Sequence, residues 1–285
     1  MFLKDSPFST KQSVKIGDKI IDFSTPKIMG VLNVTPDSFF DGGKHNSLEN
    51  AVRSAEKMIA SGADFIDVGG YSSRPGAQEV CMEEEMDRTT PVVEAIHKSF
   101  PDVQISIDTF RKKVAEENFN KGATWVNDIS AGNLDHKMIS WIREYNIPYI
   151  AMHMRGNPQN MQSKCNYHNL IKEVISELTY SVKALSSEHP LILDPGFGFS
   201  KTLEQNYELM NNLEHFGSLN RPFIVGISRK SMIYKVLKTS PNEALNGTTV
   251  LNTLGILKGA SVLRVHDVRQ AKEIVELLGR LEYKK

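Results

Sequence analysis

Apolar positions in this chain follow two alternating patterns. Runs that are apolar on successive residues occur at 27–33 (KIMGVLN), 64–70 (DFIDVGG), 104–108 (QISID), 124–128 (TWVND), 148–153 (PYIAMH), 191–196 (LILDPG), 222–228 (PFIVGIS) and 261–266 (SVLRVH). Such runs predict strands covered on both faces. Between them lie stretches of helical period. Leu48, Val52, Ala55 and Ile59 share one face, as do Leu170, Val174, Leu178 and Val182, and Leu203, Tyr207, Met210 and Leu213. The last stretch carries Ala271, Ile274, Leu278 and Leu281. Asn46 with Glu49, and Asp267 with Gln270, have the spacing of capping boxes. Residues 241–259 add an extra helical segment before the last strand.

Eight strands alternating with eight helices over this length predict an α/β protein, a (β/α)8 TIM barrel. A doubly wound open sheet is the alternative, but it gathers its polar strand ends at one switch point, and here they are spread over nearly every strand. Residues 12–25, with Gly17-Asp18 as turn, predict a short N-terminal β-hairpin that plugs the bottom of the barrel. No repeat, low-complexity tract or linker interrupts the pattern, so a single domain over 1–285 is expected.

Composition narrows the function classes. The chain is 40% hydrophobic and 24% charged, ordinary for a soluble globular protein. Lys plus Arg equals Asp plus Glu at 34 each, which gives no global attraction to nucleic acid or an acidic membrane. The two cysteines, Cys81 and Cys165, have no metal-type spacing and point to a reducing compartment. With no signal-peptide pattern and no membrane-length apolar run, a cytoplasmic protein is expected.

The chemistry sits where the runs end. Asn33, Asp108, Asn127 with Asp128, His153, Asp194, Arg229 with Lys230, and Arg264 with His266 lie at strand C-termini, and in a barrel these positions converge on one mouth. Capping explains any one such Asn or Asp, and Asp267 is read as a cap alone. It does not explain seven polar strand ends at once. Asp108, Asn127, Asp194 and Lys230 form a set suited to a flat heterocycle, with carboxylates for ring N–H groups and amide and ammonium donors for ring acceptors. A second region suits an anion. Arg264 and His266 alternate on one strand and so point the same way. Ser72, Ser73 and Arg74 precede the stiff turn Pro75-Gly76, and a helix start is expected near Ser228–Ser231. DPGFGFSKT (194–202) lacks P-loop spacing, and its Gly196 and Gly198 are read as letting backbone approach a planar ligand.

Taken in order, MGVLNVTPDSF (29–39), SSRPG (72–76), SIDT (106–109), NDIS (127–130), MHMRG (152–156), DPGFGF (194–199), SRKS (228–231) and RVHD (264–267) resemble the motifs of the dihydropteroate synthases, pterin-binding barrels of the folate pathway. The resemblance implies a transferase that joins 6-hydroxymethyl-7,8-dihydropterin diphosphate to 4-aminobenzoate, releases pyrophosphate and uses Mg2+. It implies that Asp108, Asn127, Asp194 and Lys230 hold the pterin and that Arg264 stacks on it. Asn33 would meet magnesium or the diphosphate, and Ser73, Arg264 and His266 the diphosphate. Ser231 and Lys230 would lie near the aminobenzoate, with Phe39 and Pro75 covering its ring. Asp41 and Arg74 would pair across two closing loops. A homodimer is expected by the same resemblance. The family's second loop commonly reads Glu-Ser-Thr-Arg-Pro-Gly. Here Tyr71 and Ser73 replace the Glu and the Thr. Three rivals stay open: a folate-dependent methyltransferase of the same superfamily, a non-catalytic pterin-binding protein, and an unrelated phosphate-handling barrel.

Overall fold

The computed structural model describes residues 13–17, 19–35, 44–73 and 79–281, without the side chains of 44–46 and 181–182. The chain opens with an antiparallel hairpin, β1 (Ser13–Ile16) and β2 (Lys19–Asp22), turned by Gly17 at φ +56°. Then strands and helices alternate: β3 (Lys27–Asn33), α1 (Lys44–Ala60), β4 (Phe65–Gly69), α2 (Met82–Ser99), β5 (Gln104–Asp108), α3 (Lys112–Asn120), β6 (Trp125–Asp128) and α4 (Lys137–Glu144). The second half continues with β7 (Tyr149–Met152), α5 (Leu170–Ala184), β8 (Leu191–Asp194), α6 (Leu203–Asn211), β9 (Ile224–Val225), α7 (Ser231–Leu237), α8 (Leu245–Leu257), β10 (Val262–Val265) and α9 (Val268–Arg280).

The eight long-run strands pair in parallel in the order β8-β7-β6-β5-β4-β3-β10-β9. A parallel bridge between Leu193 and Phe223 joins the two ends, with the Leu193 N–H donating to Pro222 O at 3.0 Å. The result is the expected (β/α)8 barrel, with α8 as the extra helical segment.

Alternation along each strand sorts the side chains into an outer and an inner set. Ile66, Ile105, Ile107, Val126 and Leu193 face outward and join the helix faces in the main core. Met29, Phe65, Trp125, Ile150, Ile192, Ile224 and Val262 face inward, low in the barrel, and pack with Val14 and Phe23 of the N-terminal segment. The hairpin therefore does seal the barrel bottom. Moving up the same strands, the inward positions turn polar, and Asp67, Ser106, Asp108, Asn127 and Arg264 follow the apolar floor.

Three local expectations are corrected. Asn46 is not a cap, because α1 already begins at Lys44. Asp267 makes no side-chain cap bond at α9; its carboxylate instead accepts from Arg229 Nε at 3.0 Å and Nη2 at 2.6 Å. An arginine fork offers two charge-assisted bonds where a backbone N–H offers one. Leu281 lies beyond α9 and is 58% exposed, so the apolar stripe ends at Leu278.

Phe23 is buried against the inner floor. Its truncation to alanine is expected to cost about 3–5 kcal/mol of stability, read as a lowered urea midpoint. A loss below about 1 kcal/mol would show that the hairpin does not seal the barrel.

Candidate active site

Most of the strand-end polar groups do converge. Arg264, from β10, reaches across the barrel interior. Its Nη2 donates to Asp108 Oδ2 at 2.7 Å, and its Nε donates to Asp67 Oδ2, also at 2.7 Å. Asn127 Nδ2 donates to the same Asp67 oxygen at 3.0 Å. Four strands thus contribute to one hydrogen-bonded group. Asp194, at the end of β8, accepts from the Gly196 N–H at 2.7 Å, so it shapes the turn as well as facing the mouth. Lys230 lies 4.7 Å from the Phe199 ring centroid and donates to Phe197 O. It precedes α7 without being a solvated helix-start lysine. His266 follows β10, and its Nδ1 lies 3.1 Å from Ser228 Oγ, which places it beside the Lys230 segment.

Two glycines keep the mouth open. A Cβ on Gly69 would stand 3.6 Å from Asp108 Oδ2 and 3.8 Å from Asn33 Oδ1. One on Gly226 would stand 3.8 Å from Arg264 Cβ and 4.0 Å from Asp194 Oδ2. Asn33, at the end of β3, therefore shares the rim with Asp108. Ser73, just past β4, and Ser231, the first residue of α7, are both partly exposed near the strand ends. Asp41, Phe39, Arg74 and Pro75 lie outside the described residues.

Electrostatics follow from this crowding. Burial, with Asp67 close by, raises Asp108 to about 7 against the opposing pull of Arg264. Burial also raises Asp194, with Lys230 opposing. Lys230 is pushed down to about 8 by burial, with Asp194 opposing. Burial works against the Arg264 charge, yet the carboxylates of Asp67 and Asp108 hold its pKa above the ordinary arginine value. Asp108, Asp194 and Lys230 are thus shifted toward their neutral forms while Arg264 stays charged, a pattern common at functional sites.

Comparisons with known proteins agree on one assignment. The family described as pterin-binding enzyme matches residues 29–266. The dihydropteroate synthase of Escherichia coli is 44% identical over 262 residues, covering 90% of this chain and 92% of that protein. The chain belongs to the dihydropteroate synthases of the pterin-binding enzyme family. Solved structures agree. The Yersinia pestis dihydropteroate synthase with a sulfonamide drug superimposes with a TM-score of 0.87 at 38% identity, covering 94% of this chain and 98% of that one. The Xanthomonas albilineans enzyme with 4-aminobenzoic acid gives 0.88 at 31% identity, covering 97% and 100%. The chain is a transferase of folate synthesis, as its motifs imply.

Within this family member, His153 stands apart from the cluster. It is buried, with Nε2 2.8 Å from Glu177 Oε2 and Nδ1 3.0 Å from Lys201 Nζ. Lys201 Nζ also donates to Gly196 O at 3.0 Å and Phe199 O at 3.1 Å. The lysine of FSKT is therefore a brace for the 194–199 loop, and burial holds His153 down to about 4, the neutral form this arrangement needs. Gly196 answers to the chain itself rather than to a ligand, since at φ +75° a Cβ would come within 2.0 Å of His153 O. Asp128 also faces away, accepting from Ser130, Gly132 and Tyr149. Arg229 is occupied by Asp267.

Asp67 escaped the sequence reading because it lies mid-strand rather than at a strand end. The available signal was an acid inside an apolar strand, two residues from Phe65 and so on the same face. Its Oδ1 has no partner among the described residues, and an unpaired buried oxygen costs about 1–3 kcal/mol. Tyr71, the departure in the second loop, is buried. Its hydroxyl accepts from Gln159 Nε2 at 2.7 Å, and its ring meets Phe110 edge-on.

The Asp108 carboxyl is expected to titrate near pH 7 in the free protein, read by carbon NMR. Arg264→Ala should move it higher, because the guanidinium is the main group opposing the shift. Titration near the ordinary aspartate value would contradict the burial argument.

Proposed function

We propose that this chain condenses 6-hydroxymethyl-7,8-dihydropterin diphosphate with 4-aminobenzoate to give 7,8-dihydropteroate and pyrophosphate. The observation that carries the reading is the convergence of Asp108, Asn127, Asp194, Lys230 and Arg264 on one barrel mouth. Asp108 and Asp194 accept from the ring N–H and amino groups of the pterin. Asn127 and the Lys230 ammonium serve its acceptors, and the planar Arg264 guanidinium stacks on the ring. Each group left unpaired would cost about 1–3 kcal/mol, which makes the set discriminating.

The diphosphate lies toward Ser73, Arg264 and His266. Among the described residues no group of three or more acidic, imidazole or thiolate side chains gathers to hold a metal. Magnesium needs none, since it keeps waters and takes substrate phosphate oxygens with one or two protein oxygens. Asn33 Oδ1 fits as that neutral ligand. When bound, magnesium would offset charge on the departing pyrophosphate.

The bond from the methylene carbon to the diphosphate oxygen breaks first, with its electron pair leaving on pyrophosphate. The electron-rich dihydropterin supports the resulting cation, an SN1-like path. The neutral arylamine then attacks through its lone pair and loses a proton afterward, so no strong general base is required. The donors of Arg264 and His266 stabilise the leaving group. Ser231 and Lys230 border the aminobenzoate, whose binding in the Xanthomonas relative supports this second substrate. The unpaired thiols of Cys81 and Cys165 suit the cytoplasm. Exposed Val236 and Leu237 on α7, with Val250 and Leu254 on α8, offer an apolar face for a homodimer.

Mixing the pterin diphosphate, 4-aminobenzoate and magnesium with the protein should release pyrophosphate, and chelation should stop it. Arg264→Ala should lower turnover by about 100-fold or more with the fold intact by circular dichroism. No release from the wild type, or near-normal release from the variant, would overturn the assignment.

A further inference from the structure

We propose that Asp67 is a positioning residue, which fixes Arg264 and Asn127 in the orientations from which they meet the pterin. The inference rests on the reading of those two residues as ring-binding groups. Asp67 is fully buried on β4, one inward-facing layer deeper than Asp108, since Gly69 is the β4 residue in register with Asp108 and Asp67 lies opposite Ser106. From there its Oδ2 accepts from Arg264 Nε at 2.7 Å and Asn127 Nδ2 at 3.0 Å, and it forms an ion pair with Arg264 Nη2 at 2.6 Å. The Nε bond to Asp67, with the Nη2 bond to Asp108, fixes the plane of the guanidinium. One contact to Asn127 fixes which end of the carboxamide is the amine, leaving Oδ1 and the second N–H for a ligand.

The geometry gives this acid a task that Asp108 cannot perform. Arg264 is shared between the two carboxylates in the free protein. When Asp108 turns its oxygens to ring N–H groups, Asp67 becomes the carboxylate that keeps the guanidinium in place. Stability does not account for it. Among the described residues Asp67 Oδ1 has no partner, and neither does Ser106 Oγ, its register neighbour on β5. A layer chosen for packing would be apolar, like the floor beneath it. The cluster also holds three acids, Asp67, Asp108 and Asp194, against two bases, Arg264 and Lys230. Asp67→Asn keeps the shape, leaves two of each, and so is compatible with folding.

A double-mutant cycle on the full chain tests the proposal. The kcat/KM for the pterin diphosphate is measured for the wild type, D67N, R264A and the double variant, with thermal midpoints alongside. D67N should lower kcat/KM by roughly 10–100-fold in the wild-type background and by no more than about threefold when Arg264 is absent. The KM for 4-aminobenzoate should stay within about twofold of the wild type. Equal losses in both backgrounds, or no loss in the first, would overturn the positioning role alone. A near-normal R264A would overturn the site reading and this inference with it. Should D67N fail to fold, nitrogen NMR of the wild type decides. The Arg264 Nε–H should exchange slowly and stay protected when pterin diphosphate and magnesium are added without 4-aminobenzoate; loss of that protection on binding would refute the role.

Discussion

Arg264 placed between Asp67 and Asp108 is the contact around which the barrel mouth is organised. Two ionised carboxylates this close in a buried space would repel strongly. The guanidinium between them offsets that repulsion. Its long side chain starts on β10 and ends beside β4 and β5, so the pairing exists only when the sheet curls and brings those strands around one interior. The apolar floor below, sealed by the N-terminal hairpin, keeps water from entering from beneath. Polar groups above it are therefore in a medium where each contact weighs more than it would in water.

A second network holds the far side of the mouth. Lys201 spends its three N–H donors on Gly196 O, Phe199 O and the His153 ring, while the other ring nitrogen meets Glu177. This fixes the loop that carries Phe197 and Phe199, against which the Lys230 ammonium rests. Gly196 and Lys201 of that loop thus act on the chain's own backbone. Tyr71 makes a comparable tie between the β4 and β7 ends through its hydroxyl contact with Gln159 and its ring contact with Phe110.

Legibility differed sharply between fold and site. The eight apolar runs became the eight barrel strands, because strands buried on both faces must be apolar on successive residues. Asp108, Asn127, Asp194, Lys230 and Arg264 were visible because polar groups at strand ends stand out against those runs. Asp128 and His153 stood out equally and proved to face elsewhere. At a strand end the last residue and its neighbour point to opposite sides, and composition alone does not say which side is the interior.

The chain's own pattern therefore determined the barrel, its hairpin floor, the list of polar strand ends and the family whose ordered motifs it carries. These depend on local periodicity and on residue order, both of which are written along one dimension. Only the closed structure decided that Arg264 serves two acids, that Asp67 belongs with them, that Asp267 pairs with Arg229 instead of capping a helix, and that Lys201 braces a loop. Each of these is a contact between side chains distant in sequence, and its energy depends on distances of a few ångströms that no spacing in the chain specifies.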